Sequence, residues 1–217
     1  MKAAASTPNP AQRLFNIALG KSGPRAEIED VDVSVGLNRA LAHARSRSAK
    51  LRTRAHEDIA FALQAIEAAL FAIDEIRGLL EEAGEVVEAA RAAPDLGGRA
   101  LLAERYDDLR LAVDEIAGSA EFEGVSLLSE DARSLEVELG RKARYLVAPL
   151  RLAVSAKGLH LPPPEDAFAE TEEIDRVAEK IAAGQKRVSR ATETYCRDAQ
   201  VLGARLVAGA VDGEEAT

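Results

Sequence analysis

Apolar residues recur at alternating steps of four and three along three separate segments of this 217-residue chain, and no other feature constrains the fold as strongly. The seam residues of the first segment are Ile59, Leu63, Ile66, Leu70 and Ile73, which Leu80 and Val87 continue at steps of seven. Those of the second are Leu102, Tyr106, Leu109, Val113 and Ile116. Those of the third are Ile174, Val177, Ile181, Val188, Ala191, Tyr195 and Leu202, with Gly184 and Asp198 at the weaker positions. Such spacing puts one apolar stripe on each helix, and the stripes pack against nearly parallel or antiparallel neighbours. The sequence therefore predicts a mainly α fold, an elongated antiparallel helical bundle or coiled-coil rod.

The composition suits thin helical packing. Aromatic residues make up only 4% of the chain and tryptophan is absent, whereas alanines flank the seams and let helices approach closely. Burial of the larger seam residues, at about 1.5–3 kcal/mol each, supplies most of the expected stability. The break Pro94–Gly98 predicts a turn that joins the first two helices as a helical hairpin.

The periodicity changes from heptads to alternation in the middle of the chain. Leu135–Leu139 and Leu150–Val154 each predict a half-buried strand, and together they predict a small β-hairpin. Three prolines at 162–164 then predict an extended linker. Because acidic side chains favour a helix N-terminus, Glu165 and Asp166 predict the start of the last helix.

The residues that usually carry catalysis or bind metals form no recognisable pattern. His43, His56 and His160 are scattered without the paired spacing of metal ligands. Cys196 is the only cysteine, so an intramolecular disulfide is impossible, and a packed or partly exposed thiol is expected. Acidic pairs such as Asp74–Glu75 are typical of solvated helix faces. We therefore predict a protein that is not an enzyme and has no cofactor and no metal site.

The net charge of −9 argues against general affinity for nucleic acid. The charge is unevenly distributed: a basic run consists of Arg39, Arg45, Arg47, Lys50, Arg52 and Arg54, and residues 57–88 are strongly acidic. This distribution favours solvated surfaces with complementary charge between neighbouring helices or molecules. The N-terminus lacks the apolar run of a signal peptide, and no stretch reaches the length of a membrane helix, so no membrane insertion is expected.

Several segments carry a resemblance to one protein family. Residues 57–70 are similar to the start of the first long helix of the flagellin rod domain, residues 106–117 resemble its second helix, and residues 190–206 resemble its returning C-terminal helix. Phe122-Glu123-Gly124 stands where the family carries Phe-Asn-Gly, and Leu127-Leu128 matches the apolar pair that begins the hairpin region. The resemblance implies that Phe122, Gly124, Leu127 and Leu128 fix the turn between rod and hairpin. Gly124 is expected to adopt a backbone angle that other residues resist.

The resemblance also implies a domain organisation. A flexible N-terminal segment is expected at 1–36, a flagellin-like helical rod domain at 37–209 with a hairpin insert at about 125–161, and a polar tail at 210–217. The chain is expected to be rod-domain-like and to lack the terminal helices that form the inner tube of a flagellin filament.

Two functions follow from the resemblance. The first is a structural or assembly protein of the bacterial flagellum, exported through the flagellar channel, with flagellin subunits or a flagellar assembly chaperone as partner. The second is a cytoplasmic flagellin-like regulator or decoy that binds a flagellar chaperone or an expression controller. An unrelated helical adaptor whose heptads coincide with those of the family stays open as a third interpretation.

Overall fold

The structure is a computed structural model that describes residues 33–140 and 143–214. This part of the chain contains two helices, then two short strand pairs, then a third helix. The elements are α1 (Val33–Ala92), α2 (Leu96–Ser119), β1 (Glu121–Phe122), β2 (Val125–Ser126), β3 (Leu135–Gly140), β4 (Ala143–Val147) and α3 (Thr171–Glu214). The predicted mainly α fold with a small β-hairpin region is therefore confirmed.

Some predictions concern residues outside the described part. The flexible segment predicted at 1–36 lies outside it except for residues 33–36, which belong to α1. Most of the predicted tail at 210–217 is helical, because α3 continues to Glu214, and residues 215–217 lie outside the described part. The chain divides into two compact units within α1, between Ser46 and Arg47, and the turns, strands and helices α2 and α3 described below belong to the second unit.

A short turn at residues 93–95 connects α1 to α2. Asp95 caps α2 because its carboxylate accepts the backbone N–H of Gly98 at 2.8 Å, which satisfies one of the free donors of the first turn. Further along, Arg105 of α2 forms an ion pair with Glu82 of α1. The two helices therefore run antiparallel, as the predicted helical hairpin requires.

Helix α3 is also antiparallel to α1. Arg91 near the end of α1 pairs with Asp175 near the start of α3 at 2.6 Å. An earlier α1 residue, Arg77, donates to Thr192 of α3 at 2.9 Å. Earlier residues of α1 thus contact later residues of α3, so the two helices run in opposite directions.

The core lies along the heptad seams. In α3 the buried positions follow steps of three and four without a gap: Ile174, Val177, Ile181, Gly184, Val188, Ala191, Tyr195, Asp198 and Leu202. In α1 the large residues Ile59, Ile66, Ile73, Leu80 and Val87 alternate with Ala62, Ala69, Ile76, Ala83 and Ala90. Small residues in the α1 seam allow the close helix approach that the composition predicted.

The second predicted strand is wrong. β3 pairs with Ala143–Val147, with Leu135 opposite Val147 and Gly140 opposite Ala143, so only two residues connect the strands. Residues 150–154 do not join this sheet because their donors are engaged elsewhere. The N–H groups of Leu150 and Leu152 bond the carbonyls of Leu127 and Leu128 at 2.9 and 2.8 Å.

The predicted start of the last helix is also wrong, because α3 begins at Thr171 rather than at Glu165. Ala167 and Phe168 have φ angles of 49° and 60°, which a right-handed helix cannot accommodate. The carboxylate of Glu173, which is buried, accepts the backbone N–H groups of Glu165, Asp166 and Phe168 at 2.6, 3.2 and 3.1 Å. This loop therefore wraps an acidic side chain of α3 instead of extending the helix.

Candidate functional site

The structure offers surfaces and turns as candidate sites. In the described ranges, no group of three or more histidine, cysteine or acidic side chains is arranged to hold a metal ion. His43 and His160 are exposed, whereas the Nε2 atom of the half-buried His56 is buried without a hydrogen-bond partner. The thiol of Cys196 is exposed.

The β1–β2 turn brings together the residues that carried the flagellin resemblance. Phe122 pairs with Val125, so Glu123 and Gly124 form a two-residue connection. Their φ angles are 48° and 81°, both in the left-handed region, as in the type I′ turns that favour Asn-Gly. The ring of Phe122 lies 5.4 Å from that of Phe61 between centroids, which holds the turn against α1.

Leu127 and Leu128 follow this turn and are buried. Their carbonyls accept the N–H groups of Leu150 and Leu152, so the chain that leaves the hairpin is tied to the chain that returns to α3. The turn residues and the apolar pair thus form one continuous structure. Its two sides flank the β3–β4 hairpin within the segment between α2 and α3.

Tyr195 of α3 bonds both sides of that structure. Its hydroxyl lies 3.1 Å from the carbonyl oxygen of Leu127 and 3.2 Å from that of Ala148, and it accepts the N–H of Leu150 at 3.1 Å. Burial raises the pKa of the Tyr195 phenol above its ordinary value, because a buried phenolate would lose its hydration. The phenol is therefore a fixed neutral link between α3 and the inserted segment.

Tyr145 and Tyr106 make comparable links. Tyr145 of β4 donates to the carboxylate of Asp198 in the α3 seam at 2.8 Å, and this bond raises the pKa of Tyr145. Tyr106 of α2 donates to the carbonyl of Pro162 at 2.9 Å, and its ring lies 5.7 Å from that of Phe168. Burial raises the pKa of Tyr106. Each tyrosine of the chain thus joins a helix to the segment between α2 and α3.

An open cleft of about 510 Å³ lies between α3 and residues 150–160. We call it the α3 cleft. Its floor is apolar and its rim is basic: the lining residues are Leu150, Ala156, Gly158, Leu159, His160, Ala183, Arg187, Arg190, Ala191 and Thr194. Arg187 donates to the backbone carbonyl of Lys157 at 3.1 Å, which holds its guanidinium at the rim. The cleft suits an apolar group flanked by negative charge.

The predicted seam residues occupy several environments. Ile59, Ile66, Ile73, Leu109, Val113 and the α3 residues Ile174, Val177, Ile181, Val188 and Leu202 are buried, whereas Leu63, Leu70, Leu102 and Ile116 are half-buried and pack against the core. Alanines at positions 62 and 69 take the seam positions next to Leu63 and Leu70. The sequence-based prediction chose Leu63 and Leu70 over these alanines because it gave more weight to the size of an apolar side chain than to a strict heptad register.

Sequence reasoning missed Glu173, Tyr145 and the α3 cleft. Glu173 and Asp175 both adjoin the seam residue Ile174, and only Glu173 is buried, so no local pattern indicated its burial. The cleft had no signal in the sequence either. Its lining comes from α3 and from a loop whose course no local pattern predicts.

Three helices with a β-hairpin region between the second and third define a flagellin-like fold. The fold is similar to that of the crystal structure of Bacillus cereus flagellin, with a TM-score of 0.61 and 15% sequence identity over 70% of this chain and 87% of that chain. No protein-family model matches the sequence, and no curated protein matches it either. In the described part of the chain, no helix combines the length and the apolar character needed to cross a membrane.

Proposed function

We propose that this protein is a flagellin-like structural or assembly protein of the bacterial flagellum and acts through protein–protein contacts rather than catalysis. The observation that supports this proposal most strongly is the fold similarity to Bacillus cereus flagellin over 87% of that chain. The turn motif adds to this support, because the Phe-Glu-Gly sequence that resembles the family motif forms a two-residue hairpin with both φ angles positive.

The arrangement of the side chains is consistent with a structural role. The buried polar groups Tyr195 and Glu173 are engaged with backbone atoms, where they fix the path of the chain. The partners that fit this role are flagellin subunits or a flagellar assembly chaperone, and export through the flagellar channel would deliver the protein to the filament. Neither nucleic acid nor a membrane is a proposed partner.

Fractionation of the native host tests the role. Immunoblots of sheared filaments, culture medium and cytoplasm are compared, with an abundant cytoplasmic enzyme as the lysis control. Protein in filaments or medium, without the control enzyme, is the expected result. Strictly cytoplasmic protein in motile cells would contradict export and favour a regulator or decoy that binds a flagellar chaperone or an expression controller.

A deletion strain extends this test to assembly. Loss or alteration of filaments on deletion, restored by the wild-type gene, is expected for a structural or assembly protein. A Gly124→Val variant should fail to restore filaments because valine resists the φ of 81°, whereas His43→Ala, an exposed change on α1, should restore them. Normal filaments in the deletion strain would contradict the assembly role.

A further inference from the structure

Phe71 is an exposed aromatic residue on α1, with 69% of its surface accessible. Exposed carboxylates lie one turn to either side, at Glu67 and Glu75. Among the residues that the structure describes, neither carboxylate forms an ion pair. We call Glu67, Phe71 and Glu75 the α1 ridge. Exposed aromatic side chains are typical of the centre of a protein interface, and charged side chains are typical of its rim.

The α3 cleft carries the opposite charge and has room for an aromatic ring. Leu150, Leu159 and Ala191 give it an apolar floor, and its volume of about 510 Å³ is larger than a phenylalanine side chain needs. Arg187 and Arg190 stand at its rim, and neither forms an ion pair within the described part of the chain. An aromatic ring between two carboxylates therefore matches both the floor and the rim.

We propose that the α1 ridge of one copy docks in the α3 cleft of a second copy. Phe71 fills the apolar floor, and Glu67 and Glu75 meet Arg187 and Arg190 at the rim. The net charge of −9 makes general attraction between copies unfavourable, so the contact depends on this local pairing of opposite charges.

The contact is heterologous, because the two surfaces are different parts of the molecule. The cleft is lined by α3 and residues 150–160, and none of its lining residues comes from α1. Each copy therefore offers one ridge and one cleft, and repetition of the contact adds copies head to tail. This inference rests on the proposed structural role and names a partner for it, a second copy of the chain.

Analytical ultracentrifugation of the full chain tests the contact. Between about 1 μM and 1 mM the average mass of the wild type should rise with concentration, as expected for a weak contact in that range. Phe71→Ala and Arg190→Glu should each weaken association at least about tenfold, through loss of the anchor and reversal of the rim charge. The matched control is Leu101→Ala on α2, because Leu101 is 68% exposed and lies outside both surfaces.

Mixing the two variants gives the sharper result. Phe71→Ala keeps an intact cleft and Arg190→Glu keeps an intact ridge, so an equimolar mixture should form heterodimers that cannot grow further. A wild type that stays monomeric, a Leu101→Ala effect as large as that of Phe71→Ala, an unaffected Arg190→Glu variant, or a mixture without heterodimers would each overturn the proposal. Circular dichroism of both variants checks that each is folded. Host fractionation is a separate measurement, so failure of the contact and failure of the flagellar role are distinguishable.

Discussion

Glu123 holds a left-handed backbone conformation, with φ of 48°, at the first connecting position of the β1–β2 turn. Glutamate resists this conformation, whereas asparagine is several-fold enriched in it and Asn-Gly favours type I′ turns. Glu123→Asn should therefore raise the free energy of unfolding by about 0.5–1 kcal/mol in urea denaturation. Glu121→Asn is the control, because it removes the same charge from an exposed strand position. Equal effects of the two changes would show that charge, not backbone conformation, controls the result.

Gly158 is a glycine for a different reason, the close approach of another part of the backbone. A Cβ atom at this position would lie 1.9 Å from the carbonyl oxygen of Ala153. That carbonyl also accepts the N–H of Leu159 at 2.7 Å, so it cannot move away without loss of the bond. Gly158→Ala should lower the free energy of unfolding by about 3 kcal/mol, because this buried position has no room for the methyl group.

Gly78 is the matched control for this change. It is exposed within α1, and an added Cβ would meet nothing within 4 Å. Gly78→Ala should therefore stabilise the helix by about 0.5–1 kcal/mol, since glycine is a weak helix former. The two substitutions are chemically identical, and urea denaturation should give opposite signs. A destabilised Gly78→Ala variant, or a tolerated Gly158→Ala variant, would contradict the packing of the corresponding site.

The start of α3 depends on one buried side chain, Glu173. Its carboxylate accepts three backbone N–H groups from the loop at 165–168, and hydrogen bonds to a charged acceptor are among the stronger ones. Glu173→Ala should lower the free energy of unfolding by about 2–4 kcal/mol, because it leaves these donors unpaired. Glu173→Gln, with a single acceptor oxygen, should be intermediate.

The neighbouring Glu172 separates this role from a general helix-dipole effect. Glu172 is exposed in the same first turn, so Glu172→Ala should cost only about 0.5 kcal/mol. Chemical denaturation of the three variants gives the ranking. Similar losses at positions 172 and 173 would mean that negative charge at the helix start, rather than the bonds to the loop, accounts for the stability.

The sequence predicted the helices better than the segment between α2 and α3. A seam such as that from Ile174 to Leu202 repeats a local period, and burial follows from that period alone. The partner of β3 does not follow from local pattern, because Leu150–Val154 alternates as a strand would. Its donors instead bond Leu127, Leu128 and the carboxylate of Asp114, residues distant in sequence. The type of element was therefore predictable at 135–139, and the choice of its partner was not.

The sequence also predicted some of the candidate sites and not others. The β1–β2 turn was visible as a short motif because the requirement for positive φ is local to Glu123 and Gly124. The α3 cleft exists only after residues 150–160 are placed against α3, so no spacing in the sequence indicates it. The sequence also did not predict that Phe71 is exposed, because the side of a helix on which an apolar residue lies is known only once the buried face is fixed.

Across the unit as a whole, the three tyrosines connect α2 and α3 to the segment between them, and all three have a pKa above the ordinary value. The contribution of these groups to the free energy of unfolding should therefore be independent of pH below about pH 10 and fall above it. In that alkaline range the unfolded chain releases phenol protons that the folded chain retains, so the unfolded state is favoured. The loss of stability continues until the pH passes the raised pKa that each tyrosine has in the folded chain.

Comparison with Tyr195→Phe isolates one of these contributions. The variant should be less stable at neutral pH, because the hydroxyl that bonds the carbonyls of Leu127 and Ala148 and shares the N–H of Leu150 is lost. Above about pH 10 the difference should shrink by roughly 1.4 kcal/mol per pH unit, because phenylalanine has no proton to release from the unfolded chain. Lysine ionisation affects both proteins equally and cancels in the difference.

Urea denaturation from neutral to alkaline pH measures the difference in free energy of unfolding between the two proteins. The absorbance of tyrosinate is a second readout, because the chain has no tryptophan to obscure it. Parallel stability curves for the two proteins would mean that Tyr195 ionises as easily in the folded chain as in the unfolded one, which its burial among the carbonyls of Leu127 and Ala148 should prevent.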